Sequence, residues 1–218
     1  MKVFATADIH GNRKIVDKLF EIESSVDLIL VCGDIGGKQY SFKSFMEFSE
    51  KQKEDRDYLY NVLKKIKIES KYILGNDDWF ESNDNKYLSK PEQINGVQFI
   101  PFEFVSITPF NTNREVNENK LEYELSKLNV DEESIIVAHM PPLGAGDVIY
   151  NGSRVGSKAI RNWIEVAHPK IWLNGHIHED NTVTQINNTL VFNCSCNYVD
   201  NILKGWIIDT ETMDYQSI

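Results

Sequence analysis

Five strand-length apolar runs recur along this chain, and each ends in a side chain that can bind a metal ion. Val3-Phe4-Ala5-Thr6-Ala7 leads into Asp8-Ile9-His10, and residues 28–33 lead into Asp34. Tyr72-Ile73-Leu74-Gly75 leads into Asn76, Ile135-Ile136-Val137-Ala138 into His139, and residues 171–175 into His176-Ile177-His178. Runs that are apolar on both faces and separated by helix-period segments belong in a parallel sheet covered on both sides. The strands of such a sheet share one carboxyl edge, where ligands bind. The pattern therefore predicts that Asp8, His10, Asp34, Asn76, His139, His176 and His178 face one cleft. Two carboxylates, an amide oxygen and four imidazoles exceed what one four- or six-coordinate ion usually draws from protein. They suit two ions bridged by a shared carboxylate.

The segments between these runs carry their own signals. Residues 12–25 place Ile15, Val16, Leu19, Phe20 and Ile22 at amphipathic spacing, which predicts a crossover helix. Residues 38–69 are longer than a crossover requires. Tyr58, Leu59, Val62, Leu63 and Ile66 mark a helix there, and the aromatic-rich 38–50 segment reads as a helix packed on the sheet, with a lid over the cleft as the alternative. Val97 to Ile100 and Phe102 to Ile107 read as two strands broken near Pro101. Residues 115–128 read as a helix with Val116, Leu121, Leu125 and Leu128 inward. Residues 140–147 form a shaped loop, given paired prolines and nearby glycines. Ser157 then offers an N-cap for a helix burying Ile160, Trp163, Ile164 and Val166 and stopping before Pro169. From Thr182 onward, alternating apolar residues that include the 205–208 run predict antiparallel strands closing a second sheet.

Composition narrows the function. Lys plus Arg is 23 and Asp plus Glu is 33, a formal charge of -10, so general nucleic-acid binding is not expected. A small phosphate ester remains compatible, because bound dications would dominate the field inside the cleft. Cys32 lies in an apolar run and Cys194 and Cys196 alternate along another, which predicts buried free thiols rather than a disulfide framework. Strand-like sequence begins at Lys2 and no apolar stretch is long enough to cross a bilayer, so no membrane association and a cytoplasmic location are expected. The 218 residues suit a single domain over 1–218.

The order Asp8-Ile9-His10, Gly33-Asp34, Gly75-Asn76, His139 and Gly175-His176-Ile177-His178 resembles the calcineurin-like metallophosphoesterase superfamily, in particular a small prokaryotic-type branch. That resemblance implies an α/β fold, a four-layered α/β/β/α sandwich. It implies two divalent cations, manganese first, with iron, zinc, cobalt or nickel compatible with the same ligands. Asp8, His10 and His178 would hold one cation, and Asn76, His139 and His176 the other, with Asp34 bridging. Asp34, Asn76, Asp77 and His139 become the candidate catalytic residues. The implied reaction is phosphoester hydrolysis by a metal-bridging hydroxide, on a small ester such as a phosphodiester. A metal-dependent nuclease or a non-catalytic scaffold would use the same core.

Two departures matter. After Gly-Asn the family commonly carries His, thought to protonate the leaving group, whereas this chain has Asp77 followed by Asp78. An Asp beside two dications is drawn to its ionised form, a poor proton donor, so substrates with good leaving groups are expected. Asp78 is expected to support a ligand or loop. Asn193-Cys194-Ser195-Cys196 stands where relatives often carry Asn-Pro-Gly-Ser, in a loop expected near substrate. Arg154 and Arg161 are weighed as phosphate contacts against a solvated helix face, which explains them better. The fifth histidine, His168, precedes Pro169 at a helix end and is assigned no catalytic role.

Overall fold

A computed structural model of the protein describes residues 1–38 and 40–218. The first half runs β1 (Lys2–Thr6), α1 (Arg13–Ile22), β2 (Leu28–Cys32), α2 (Phe45–Lys65), β3 (Glu69–Ile73), β4 (Glu92–Ile94), β5 (Val97–Phe102), β6 (Val105–Ser106) and β7 (Glu115–Val116). The second runs α3 (Glu118–Leu125), β8 (Ile135–Ala138), α4 (Lys158–Ala167), β9 (Ile171–Asn174), β10 (Val183–Ile186), β11 (Thr189–Asn193), β12 (Trp206–Asp209) and β13 (Tyr215–Ser217). They form a five-stranded sheet in the order β13-β12-β1-β2-β3 and a six-stranded sheet in the order β10-β11-β9-β8-β5-β4.

Alternation along the strands produces the layers, because successive side chains point to opposite faces. In β1 and β2, Val3, Ala5, Leu28, Leu30 and Cys32 pack against Ile135, Val137, Ile171 and Leu173 of the other sheet. Their neighbours Phe4, Ile29 and Val31 pack instead on Ile15, Leu19, Leu59 and Leu63 of α1 and α2. The outer face of the second sheet, with Ile136, Ala138 and Trp172, covers Leu121, Leu125, Ile160 and Ile164 of α3 and α4. Three buried clusters between four layers make the predicted α/β/β/α sandwich.

Convergence of the ligand-bearing runs is achieved differently from the single-sheet expectation. β1, β2 and β3 are parallel neighbours in one sheet, whereas β8 and β9 are parallel neighbours in the other. The cleft therefore lies where the carboxyl ends of two facing sheets meet. A parallel bridge from Ala7 to Ser195 ties them there, with Ala7 N–H donating to the Cys194 carbonyl and Cys196 N–H to that of Ala7, both at 3.0 Å. Of the late strands, β10 and β11 complete the second sheet as expected, but β12 pairs antiparallel with β1 and returns the chain to the first.

Local chemistry sets the helix ends. Asn12 caps α1 by accepting from the Ile15 N–H, and Ser157 caps α4 by accepting from that of Ile160. Ser44 caps α2, with Glu47 in its first turn and Lys64 and Lys65 in its last, complementing the helix dipole. The aromatic-rich stretch is not a separate helix: Phe45 opens the same 21-residue α2 that carries Leu59 and Leu63. Within the 38–50 segment, Gln39 lies outside the described residues. Phe42 and Phe45 pack around Phe48, and Phe45 meets Trp79 edge-on.

Other boundaries move for physical reasons. β5 runs continuously through Pro101, because β4 pairs only as far as Phe99 and leaves that side of the strand open, where a missing N–H is tolerated. α3 starts at Glu118 because Asn117 caps it, leaving Glu115 and Val116 to pair with β6. Val166 is exposed, since the buried stripe of α4 is set by Ala159, Ile160 and Ile164. His168 ends that helix in the left-handed conformation. Cys32, Cys194 and Cys196 are free and buried. Among the described residues, no helix is long and apolar enough to cross a membrane.

Candidate metal centre

The seven predicted ligands all stand just past strand ends and converge on one cluster. Asp8, Asp34, Asn76, His10 and His139 are buried, and His176 and His178 are partly so. One side of the cluster is set by Asp8, His10, Asp34 and His178, whose ligand atoms all lie within 4.8 Å of one another. His178 Nε2 is 3.2 Å from Asp8 Oδ1 and 3.2 Å from His10 Nε2, while His10 Nε2 is 3.6 Å from Asp34 Oδ2. On the other side His139 Nε2 is 3.3 Å from Asp34 Oδ1, and His176 Nδ1 is 2.8 Å from Asn76 Oδ1. The two carboxylate oxygens of Asp34 thus face two different groups of ligands.

Groups behind the ligands hold them in place. His139 Nδ1 donates to the Cys32 carbonyl at 2.8 Å, which turns Nε2 into the cluster. Asn76 Nδ2 donates to Thr112 Oγ1 at 2.8 Å, which turns Oδ1 inward. His176 N–H donates to Asp8 Oδ2 at 3.0 Å, and Asp77 N–H to Asp34 Oδ1 at 2.9 Å. Asp78 is a loop support: its Oδ1 accepts from the Ile35 and Gly36 N–H groups and its Oδ2 from that of Gly75. Backbone strain concentrates here too, because Asp8, His10, Asp34 and His176 have φ of 60°, 47°, 55° and 74°. Each such residue costs on the order of 1 kcal/mol or more, sustained only where the surroundings fix it. Gly33, at φ 90°, could not take a Cβ, which would lie 2.7 Å from His139 Nδ1.

Charge is arranged as a cation site requires. Burial would raise Asp8, but the imidazoles of His178 and His139 hold it well below the usual carboxylate range; His139 and His10 do the same for Asp34. Burial opposes a proton on His139, but the carboxylates of Asp34 and Asp8 win and push it up to about 10. His178 is likewise raised by Asp8 against burial. Burial drives His10 down to about 3 and, together with His139, drives His176 down to about 4. The carboxylates of Asp8 and Asp34 thus favour a proton on His139 and on His178 when no cation is bound. Among the described residues the buried His139 Nε2 has no partner in hydrogen-bond geometry, as expected of an atom shaped for a metal. The donor set fits two divalent cations.

Proton displacement gives a direct prediction. A cation at His139 must expel a proton whose pKa is about 10, so loading at pH 7 should release at least one proton. The sign follows: below about pH 10 proton and cation compete, so affinity should rise roughly tenfold per pH unit for each proton displaced. Calorimetric manganese titrations in buffers of different ionisation enthalpy should show this release. Equal heats across the buffers would refute it.

Other sequence candidates fall differently. Asp77 borders the cluster with its carboxylate 2.5 Å from Lys38 Nζ. Burial and the Asp34 carboxylate push Asp77 up, an influence opposite to that of bound dications, while Lys38 pulls it back. Lys38 is the site residue that sequence reasoning missed, although it follows the Asp34 turn by only four positions. Arg154 pairs with Asp147 and Arg161 with Glu165, both outside the cleft lining. Cys194, Ser195 and Cys196 are buried rather than substrate-facing, and Cys196 Sγ lies 3.0 Å from the Asp8 carbonyl. The cluster opens into a cavity of about 530 Å³ that also touches Lys38, Asp77, Phe110, Tyr150 and Tyr198.

Comparison with known proteins gives concordant results. Residues 1–180 match the family described as calcineurin-like phosphoesterase. An uncharacterized protein of Methanocaldococcus jannaschii is 31% identical over 201 residues, covering 89% of this chain and 88% of that protein. A dimetal phosphatase from Danio rerio superposes with a TM-score of 0.60 at 11% identity, covering 100% of this chain and 98% of the other. A Thermus thermophilus protein superposes with a TM-score of 0.64 at 11% identity, covering 100% of this chain and 97% of the other.

Proposed function

The chain belongs to the calcineurin-like phosphoesterase family and is a metal-dependent phosphoester hydrolase, and on that premise we propose that it hydrolyses small phosphate esters with good leaving groups. The observation that carries this reading is the placement of Asp34, whose two oxygens lie toward His10 and His139 respectively. Two divalent cations, when bound, supply positive charge at the phosphoryl oxygens and an activated water near neutral pH. Asp8, His10 and His178 would hold one, Asn76, His139 and His176 the other, and Asp34 both. Manganese is the first candidate, with iron, zinc, cobalt or nickel served by the same donors.

The protein's own contribution is positioning and charge. Thr112 and Cys32 fix the directions of Asn76 and His139, so the ligands need little rearrangement. Where relatives commonly carry an imidazole, Asp77 offers a carboxylate tied to Lys38, so departure of a poor leaving group lacks that proton donor. This supports a preference for phosphodiesters or monoesters of acidic alcohols, or for anhydrides. A nuclease reading lacks support, since Lys38 is the only Lys or Arg among the described residues lining the cavity, and it is paired. The expected setting is the cytoplasm.

The test is a screen of purified protein loaded with each metal against an aryl monoester, an aryl diester, cyclic nucleotides and nucleotide anhydrides. Manganese-dependent turnover of at least one class is expected; inactivity with every metal would favour a non-catalytic scaffold. Asp77→His should raise turnover of alkyl esters roughly tenfold or more relative to aryl esters, since general acid catalysis matters most for poor leaving groups. An equal gain on both would remove Asp77 from the explanation.

A further inference from the structure

The cavity above the metal cluster is built more apolar than phosphate recognition requires. Its mouth is walled by Ile107, Pro109, Phe110, Tyr150, Val155 and Tyr198. Ile107 is 66% exposed, Phe110 79% and Tyr150 87%, so these large side chains are left largely uncovered by the described residues. Isolated exposed apolar residues need no explanation, but a set that rims one cavity ending in convergent polar ligands has the form of a small-molecule site. At about 530 Å³ the space is also of the right size.

Both walls are braced to the candidate ligands. The loop bearing Ile107, Pro109 and Phe110 is held through Thr112, which accepts from Asn76 Nδ2 at 2.8 Å, and through Asn113, whose N–H donates to the Asn76 carbonyl at 2.9 Å. Thr108 and Thr112 share Glu115 Oε1, which closes that loop on itself. The opposite wall begins at Val148, whose N–H donates to Asp180 Oδ2 at 2.9 Å, two residues beyond His178. A group seated between the walls is thereby registered against the metal cluster. Three of the lining side chains are aromatic, and planar faces favour planar partners.

Resting on the phosphoesterase reading, we propose that this chain selects phosphate esters whose organic moiety is a bulky aromatic ring system, seated between the 107–110 loop and the Tyr150–Val155 wall while the phosphate meets the metal cluster. A second copy of the chain and a flexible acyl chain are the rival occupants. The ring system is favoured by the aromatic lining and by the polar ligand cluster of Asp34, Asn76, His176 and His178 in the same cavity.

The experiment compares phenyl-, 2-naphthyl- and hexylphosphonate, which resist hydrolysis, binding to manganese-loaded full-length protein by calorimetry. Naphthylphosphonate should bind about tenfold more tightly than phenylphosphonate, the scale expected for burying a second ring on an apolar wall. Phe110→Ala and Tyr150→Ala change exposed side chains and should fold, and each should bring that ratio toward one. Equal affinities for the two aromatic ligands, a ratio unmoved by both variants, or hexylphosphonate matching naphthylphosphonate would overturn the proposal. Self-association that buries the wall and blocks naphthylphosphonate would overturn it too. The metal-by-substrate turnover screen, run alongside with phenyl and 2-naphthyl esters included, reports on the premise separately: turnover without ring preference retires the wall and keeps the esterase, whereas ring preference with every substrate class inactive keeps the wall and retires the esterase.

Discussion

Asp34→Asn is expected to lower phosphoester hydrolysis by about a thousandfold or more and to reduce tightly bound manganese from two ions to at most one. The reasoning begins with charge. Asp34 lies against His10 through one oxygen and His139 through the other, and with Asp8 it is one of two carboxylates within the ligand set. An amide keeps the shape but removes the negative charge and presents one oxygen instead of two. Loss of electrostatic stabilisation at a water-excluded site commonly costs two to three orders of magnitude, and loss of a cation adds to it. The variant should still fold, because the Asp77 N–H can donate to the remaining oxygen. Atomic absorption on the dialysed variant, with turnover measured on the same sample, checks both halves; two retained ions with wild-type turnover would contradict the assignment.

Gly75→Ala should produce the second large effect through space rather than charge. A Cβ on Gly75 would collide with Asp34 Oδ1 and lie 2.5 Å from the Asp34 backbone nitrogen. Neither can retreat easily, because Asp34 is buried and its neighbours Ile35 and Gly36 are tied to Asp78. Overpacking of this kind costs about 1–3 kcal/mol, and it should displace the bridging carboxylate enough to weaken manganese binding about a hundredfold. Gly96→Ala is the control: none of the described residues lies within 4 Å of its added Cβ, but φ is 82°, so it should destabilise by about 1 kcal/mol and leave metal binding intact. Denaturant melts paired with metal titrations separate the two. A Gly75→Ala protein that loses stability yet binds manganese normally would show that the close packing of Gly75 on Asp34 is structural only.

Much of this centre is legible in the sequence because each ligand is announced locally. A buried strand followed by Asp, Asn or His fixes both the residue and the end of the element that carries it, and parallel strands gather such ends. Division of the five strands between two sheets is not legible, since β2 and β9 are equally apolar and nothing in either run records which neighbour it pairs with. Helix α2 reads as two pieces because its aromatic start and its buried Leu59, Val62 and Leu63 face different surroundings along one continuous cylinder. Lys38 escapes notice because a lysine in a glycine-rich turn carries no periodic signal; its meaning comes from Asp77, which approaches from the turn after β3. The apolar walls are equally silent, as Phe110 and Tyr150 sit outside the strands and helices, where no apolar period marks them.

Anomalous diffraction at the manganese edge, from crystals grown with the ion, tests the central claim most directly. Two peaks are predicted, one beside Asp34 Oδ2 among Asp8, His10 and His178, the other beside Asp34 Oδ1 among Asn76, His139 and His176. A single peak away from Asp34, or no peak at saturating manganese, would contradict the two-cation site on which the hydrolase account rests.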